Sequence, residues 1–428
     1  MKQGISVFII LSIIATVFSF VFPSDTKRVV AASISQYEAS ELEMTDYDSV
    51  RSAYRVPAEL PYQYTFNDSE FDKGFEYDLT VDLTPGYYCG PQTIRFDCND
   101  TLWYTLDGSL PEKNSATTYL YDDNEGIDID GVTNLCLRVE KNGIMSTVYI
   151  ASYVILNPIE DEFYGYGYHS LDRNDRLIYR RLYDCIENYE TTFDLPFTGI
   201  SYQHIYRILM CINYDNPLLF QTPLSFTKWS GNKNDIRSIT LSYDFTKEET
   251  EYYAKKVKQK AKEILKEADG AETLSEYLLS IHNSILKEAT YDNSFSDPGV
   301  YEAFGVLVDG TGVCESYSRA FQYLCQCIGV DNILVVGLST DEPHMWNMIM
   351  LDGDWYHSDL TWDDEDNGSI IYDFFCFNDM NLKTYGERNI SPELDESGAI
   401  MDMYQDSNYY PIPSSRNNVY TVSNYYYY

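Results

Sequence analysis

The sequence predicts an α+β protein: a small all-β sandwich, then a larger unit in which a helix packs on an antiparallel sheet. Two observations carry this. Between Tyr77 and Leu156, short β-branched and aromatic runs alternate with turn residues at sandwich spacing. From Asn157 onward the apolar residues recur at helical spacing, and the pattern then changes to a hairpin around Asp352-Gly353. A chain of 428 residues has room for two or three such units.

Taken in order, residues 1–32 read as a signal peptide. Lys2 is the charged start, "ISVFIILSIIATVFSFVF" (Ile5–Phe22) the apolar core, and "VVAAS" a small-residue cleavage site near Ala31 or Ala32. The apolar run is also long enough for an uncleaved anchor. No cysteine follows until Cys89, which argues against a lipoprotein anchor here. Residues 33–75 are polar, acidic and weakly periodic, a linker. Strands are expected at "TIRFDC" (Thr93–Cys98), "LWYTL" (Leu102–Leu106), "LCLRV" (Leu135–Val139) and "TVYIASYVI" (Thr147–Ile155). They make a sandwich over 76–156. Trp103, Tyr104 and Tyr119 are either exposed rings that stack on sugars or core residues of alternating strands.

Residues 157–265 are expected to be mainly helical, and 266–392 to form the catalytic core. Thr246 opens the capping box "TKEE", and that helix runs to about Ala268 before Asp269-Gly270 stops it. Thr273 opens a second box, "TLSE", after which Leu274, Tyr277, Leu278, Ile281 and Ile285 share one face. Residues 393–428 form a polar, tyrosine-rich tail.

Charge and cysteines narrow the function. Thirty Lys and Arg face 67 Asp and Glu, a formal net charge of −37, which repels nucleic acid and anionic lipid. A solubilising surface accounts for this charge; a taste for cationic substrates is the sharper reading. The nine cysteines are an odd number and far below the density of a disulfide scaffold. With no CxxC and five histidines, none in HExxH form, no metal or other cofactor is expected.

One cysteine stands apart. Cys314 follows the turn "DGTG", and Ala320, Phe321, Leu324 and Ile328 then share a helical face that Gly329 ends. Cys314 thus sits in the first turn of a helix, where free N–H groups and the dipole favour a thiolate. Cys325 and Cys327 lie inside the same helix as small core residues. The turn Asp352-Gly353 pairs Leu351 with Asp354, and the same register sets Trp346 opposite Asp359 and His344 opposite Thr361. His344 and Asp359 become diagonal neighbours about 7 Å apart at the backbone. His357 lies on the same face and is the rival base; His344 is preferred because Asp359 can orient it. Trp346 and Trp355 are expected to wall the site.

The blocks "IHNSILKEATYD", "GVLVDGTGVCESYSRAFQYLCQCIGV" and "HMWNMIMLDGDWYHSDLTWDD" together closely resemble the transglutaminase-like superfamily, in its bacterial secreted branch. The likeness covers about Tyr252–Phe377 well and 157–251 more loosely. It implies a papain-like fold with Cys314 as nucleophile, His344 as general base and Asp359 as its orienting acid. Ser316 and Met345 stand where that family often has Gly and Ala. "TPGYYCGPQTIRF", "LWYTLDGSLPEKNSATTY" and "LRVEKNGIMSTVYIASYVI" resemble the chitobiase/β-hexosaminidase C-terminal β-sandwich, an accessory of secreted enzymes. The implied activity is acyl transfer through a Cys thioester on a protein or peptide substrate, outside the cell or at its surface. Three fates remain open: hydrolysis as a peptidase or amidase, which is preferred; crosslinking to a lysine amine; or a non-catalytic protein whose sandwich holds cell-wall glycan. The second oxyanion donor is left open.

Overall fold

The computed structural model describes Tyr47 and residues 55–160, 163–223, 226, 228–339, 342–365, 367–384, 390–391 and 412–421. The expected signal peptide, the first part of the expected linker and most of the expected tail lie outside the described residues. Among the described residues no helix is long and apolar enough to cross a membrane.

Strands β1 (Gly86–Cys89), β2 (Gln92–Ile94), β3 (Thr101–Thr105), β4 (Tyr119–Leu120), β5 (Ile127–Ile129), β6 (Thr133–Lys141) and β7 (Tyr149–Leu156) build an all-β region. One sheet runs β1-β7-β6-β3-β4, with β7 parallel to β1 and the other neighbours antiparallel. The β2–β5 ladder covers it, and Ile94, Ile127 and Ile129 share a core with Leu102, Leu135, Leu137 and Tyr153. Of the three candidate sugar-stacking rings, Tyr119 is exposed; Tyr104 packs on this core, and Trp103 Nε1–H donates to Glu140 Oε2 at 3.0 Å.

In the second unit a short helical turn at Tyr166–Ser170 precedes α1 (Arg173–Glu187), whose N-cap Asp172 accepts the N–H groups of Asn174 and Asp175. Next come β8 (Thr192–Asp194) and α2 (Tyr202–Asp215), the latter capped by Ser201. Strands β9 (Lys228–Asn232) and β10 (Asp235–Thr240) pair with β8 in the order β8-β10-β9. Helices still make up most of the regular structure in this stretch, but the small three-stranded sheet among them is a departure from the expectation. β9 is "KWSGN", exposed throughout, so no apolar alternation announces it. Helix α3 (Lys247–Ala268) starts at Thr246 with both halves of its capping box in place. Helix α4 (Leu274–Glu288) has half of one: Thr273 accepts Glu276 N–H, but Glu276 Oε2 takes the N–H of Glu272. The predicted apolar face of α4 is buried against α3 and α5 (Cys314–Cys327). Each side chain so buried contributes about 1.5–3 kcal/mol.

Strands β11 (Asn332–Ser339), β12 (Glu342–Leu351) and β13 (Asp354–Ser358), a short helix α6 (Leu360–Asp363) and β14 (Ile390–Ser391) complete the chain's main elements. The sheet order is β13-β12-β11-β14, and α5 lies against it. Asp352 and Gly353 have φ of 49° and 89°, the paired left-handed residues of a two-residue hairpin turn.

Two boundaries differ from expectation. Residues 55–75 are docked rather than free: Leu274 N–H donates to Ala58 O at 3.0 Å, Tyr87 O–H to Pro57 O at 2.8 Å, and Ala58 is buried in the central core. These bonds go largely to backbone atoms, which polar composition does not reveal. The all-β region is likewise joined to the helices. Gly270 N–H donates to Tyr87 O, Tyr87 N–H to Ala271 O, and Cys89 N–H to Asp269 Oδ1. Tyr87, Val154 and Leu156 share one core with Leu278, Ile281 and Phe321. At the other end of the chain, Tyr420 is buried against Tyr356, and Thr421 Oγ1–H donates to Cys376 O at 2.7 Å. That part of the expected tail is packed.

Candidate active site

Cys314 is the first residue of α5, after the extended N-cap Val313. The turn before it is pinned, not flexible. Gly310 has φ of 74°, Thr311 and Gly312 pair with Thr290 and Tyr291, and Val313 N–H donates to Val300 O at 2.9 Å. Ser316 accounts for its departure from the family's usual glycine. Its Oγ accepts Val306 N–H at 3.1 Å and donates to Glu302 O at 2.6 Å. A Cβ at Gly312 would stand 2.5 Å from Ser316 Cβ, so glycine there is a packing requirement.

Helix α5 is fixed on both flanks. Arg319 donates to Asn213 O on α2 at 2.9 Å and to Glu315 Oε1 at 3.1 Å. Ser318 Oγ–H donates to Met345 O at 3.1 Å, and Asn347 Nδ2–H to Ser318 O at 3.0 Å. These two bonds flank Trp346, two residues after His344 on β12, and set the register of the helix against that strand. Met345, at the second departure from the family, packs with Cys314 in one apolar cluster.

The structure brings Cys314, His344 and Asp359 together. His344 Nε2–H donates to Asp359 Oδ2 at 2.7 Å, and Cys314 lies close enough to the same ring to interact with it electrostatically. The imidazole stacks on Trp346 with centroids 6.0 Å apart and meets Trp362 edge-on at 5.8 Å. All three site residues are buried, with Cys314 7%, His344 8% and Asp359 1% exposed, so the row is largely shielded from water.

The route to this geometry differs in part from the expected one. The ladder keeps the predicted register from Leu351–Asp354 to Asn347–Ser358, then stops. Asp359 leaves the strand as N-cap of α6: its Oδ1 accepts Trp362 N–H at 3.3 Å and its own N–H donates to Phe374 O at 2.8 Å. Thr361 therefore lies in α6, not opposite His344, whose ladder partner is Gly337 on β11. Trp355 is another correction. It pairs with Met350 at the closed end of the hairpin and packs on Tyr166, so Trp362 supplies the second wall. His357, the rival base, is engaged elsewhere: Nδ1 accepts Trp346 Nε1–H at 3.0 Å, and Nε2–H donates to Asp379 Oδ1 at 2.9 Å. Burial pushes its pKa down against the pull of Asp379.

A buried pair beneath α6 escaped the sequence reading. Asp363 accepts from His282 Nε2 at 3.0 Å and from Phe374 N–H at 3.0 Å, with both side chains fully buried. Burial raises the Asp363 carboxyl to about 7, and the bond from His282 opposes it. His282 lies in the quoted block "IHNS" on α4, a polar residue on an otherwise apolar face. That was the available signal.

Burial alone would push the His344 imidazole down. The Asp359 charge and hydrogen bond, with the interaction with nearby Cys314, outweigh burial and carry it up to about 10. The sign of the stability effect follows. A histidine held above its unfolded value of about 6.5 stabilises the fold fully below that pH, and the contribution is lost as pH rises through about 10. Thermal melts of wild type and His344→Gln from pH 6 to 10.5 are therefore expected to converge as pH rises. A constant difference across that range would contradict the charged pair.

All nine cysteines are free. Burial pushes the Cys325 thiol up to about 12 and Cys327 to about 11, which suits inert core residues.

Residues 258–360 match the model of the transglutaminase-like superfamily, a span that includes Cys314, His344 and Asp359. The chain thus carries a transglutaminase-like domain. No curated protein matches it. Among solved structures it is similar to a TGase, at 11% identity and TM-score 0.25, covering 54% of this chain and 66% of that one. It is also similar to a provisionally named cysteine protease from Cytophaga hutchinsonii, at 16% identity and TM-score 0.23, covering 35% and 65%. The chain spans just under two thirds of the length of each, and both are too distant in shape to carry an argument.

Proposed function

We propose that this chain is a thiol enzyme that opens amide bonds of proteins or peptides through a thioester on Cys314, with water taking the acyl group. The observation that carries this is the His344 ring, held by Asp359 and in electrostatic contact with Cys314 at the mouth of α5. The thiolate attacks the carbonyl carbon, His344 gives its proton to the departing amine, and water then attacks the thioester with His344 as base. Asp359 keeps the ring in the tautomer that can do both. The transglutaminase-like match over the same residues supports the assignment.

We further read the protein as exported by its N-terminal apolar segment, in the manner of a bacterial secreted enzyme. The all-β region is read as the chitobiase-like accessory that its motifs resemble, with exposed Tyr119 offered to wall glycan. Hydrolysis is preferred because a lysine acceptor arrives protonated, and only its neutral form attacks. Intact-mass analysis of a glutamine donor peptide with millimolar lysine peptide tests this. Glutamate or cleaved peptide is expected, and it should vanish in Cys314→Ala. Dominant isopeptide product would make the protein a crosslinking enzyme. No product and no acylated Cys314 with any donor would favour a non-catalytic surface protein.

A further inference from the structure

The oxyanion formed in such a reaction calls for two hydrogen-bond donors. The N–H of Cys314 is one, since it lies in the first turn of α5, beyond the reach of any intrahelical carbonyl. The indole N–H of Trp346, the nearest aromatic donor to His344 in sequence, is already given to His357. Another group beside the nucleophile is unused.

Two carbonyls of the segment preceding α5 are taken by its opening residues. Val300 O accepts Val313 N–H at 2.9 Å, and Glu302 O accepts Ser316 Oγ–H at 2.6 Å. Tyr301 lies between these anchors, so its backbone is fixed alongside Cys314. It ends a short 3-10 turn, Pro298–Tyr301, whose start is capped by Asp297 Oδ1 accepting Gly299 N–H at 2.8 Å. The side chain is half-buried, and within the described residues its hydroxyl makes no hydrogen bond. Burial first, and then the charges of Glu315 and Cys314, hold the phenol above its usual range. It is therefore a protonated donor at neutral pH, within electrostatic reach of the nucleophile.

We propose that the Tyr301 hydroxyl is the second oxyanion donor of the Cys314 site, a catalytic role that rests on the acyl-transfer reading above. As the sulfur–carbon bond forms, the carbonyl π pair moves onto oxygen. Cys314 N–H and Tyr301 O–H then donate to that oxygen, and neither loses its proton. Collapse restores the carbonyl and expels the leaving group, which takes its proton from His344 when it is an amine. Ser316 is the positioning residue for this arrangement, since its hydroxyl ties Glu302, the neighbour of Tyr301, to the turn that carries Cys314.

The test is Tyr301→Phe in the full chain, which removes one oxygen and keeps the ring. Two rates are compared: the burst of p-nitrophenolate from p-nitrophenyl acetate, which passes through an oxyanion, and alkylation of Cys314 by iodoacetamide, which does not. The burst rate is expected to fall about 10²-fold with alkylation unchanged. A variant that acylates at the wild-type rate overturns the assignment and leaves the Cys314 reading intact. Equal losses in both rates would make Tyr301 a structural support and overturn it too. Wild type that alkylates normally but gives no burst would defeat the acyl-transfer reading, and this role with it.

Discussion

Replacing Asp359 by Asn is expected to lower turnover by about 10³–10⁴-fold while leaving the protein folded. The two carboxylate oxygens have different duties: Oδ2 accepts from His344 and Oδ1 accepts Trp362 N–H. An amide cannot serve both. If its oxygen stays on Trp362, its NH₂ faces Nε2 of His344 and forces the ring proton onto the nitrogen that faces Cys314. That tautomer cannot accept the thiol proton. If the amide flips, NH₂ meets the N–H of Trp362 and the α6 cap is lost, at a cost of about 1 kcal/mol. Turnover of a peptide amide, measured beside circular dichroism and the melting temperature, separates the two outcomes from unfolding. Wild-type turnover in the variant would remove Asp359 from the mechanism.

Deleting residues 76–156 is expected to unfold the transglutaminase-like region, not merely to release an accessory. Tyr87 is fully buried, and with Val154 and Leu156 it lies in the same core as the α4 and α5 faces. Removing that layer exposes those faces and leaves the exchanged bonds of Tyr87 with Gly270 and Ala271 unmade. The single substitution Tyr87→Ala samples the same contact and is expected to cost about 3–5 kcal/mol. Denaturant unfolding of this variant, with soluble yield and small-ester turnover of the truncated chain, checks both. A truncated chain that folds and turns over normally would restore the separable module that the motifs suggest.

What lay within a few residues was legible. The left-handed pair at Asp352-Gly353 sets the hairpin register, and Thr246 caps α3 with Glu249; both are local contacts that residue type specifies. The same locality puts Cys314 at a helix mouth and gives α4 its buried stripe. The end of the ladder at Ser358 was not legible. Asp359 turns into a cap because Phe374 takes its N–H and Asp363 is tied to His282, 81 residues earlier. That turn moved Thr361 off the hairpin and exchanged Trp355 for Trp362 at the site wall.

Sequence by itself therefore determined which short elements hold Cys314 and His344, because caps, turns and periodic faces are decided by neighbours along the chain. Tertiary structure decided how those elements meet. Ser318 and Asn347 seat the thiol against the imidazole, residues 55–75 pack where composition reads as linker, and Tyr87 ties the all-β region into the core of the transglutaminase-like region. These contacts run through backbone groups and through buried faces between distant segments. A backbone N–H or C=O is the same at nearly every position, so no residue type advertises where such a bond will form.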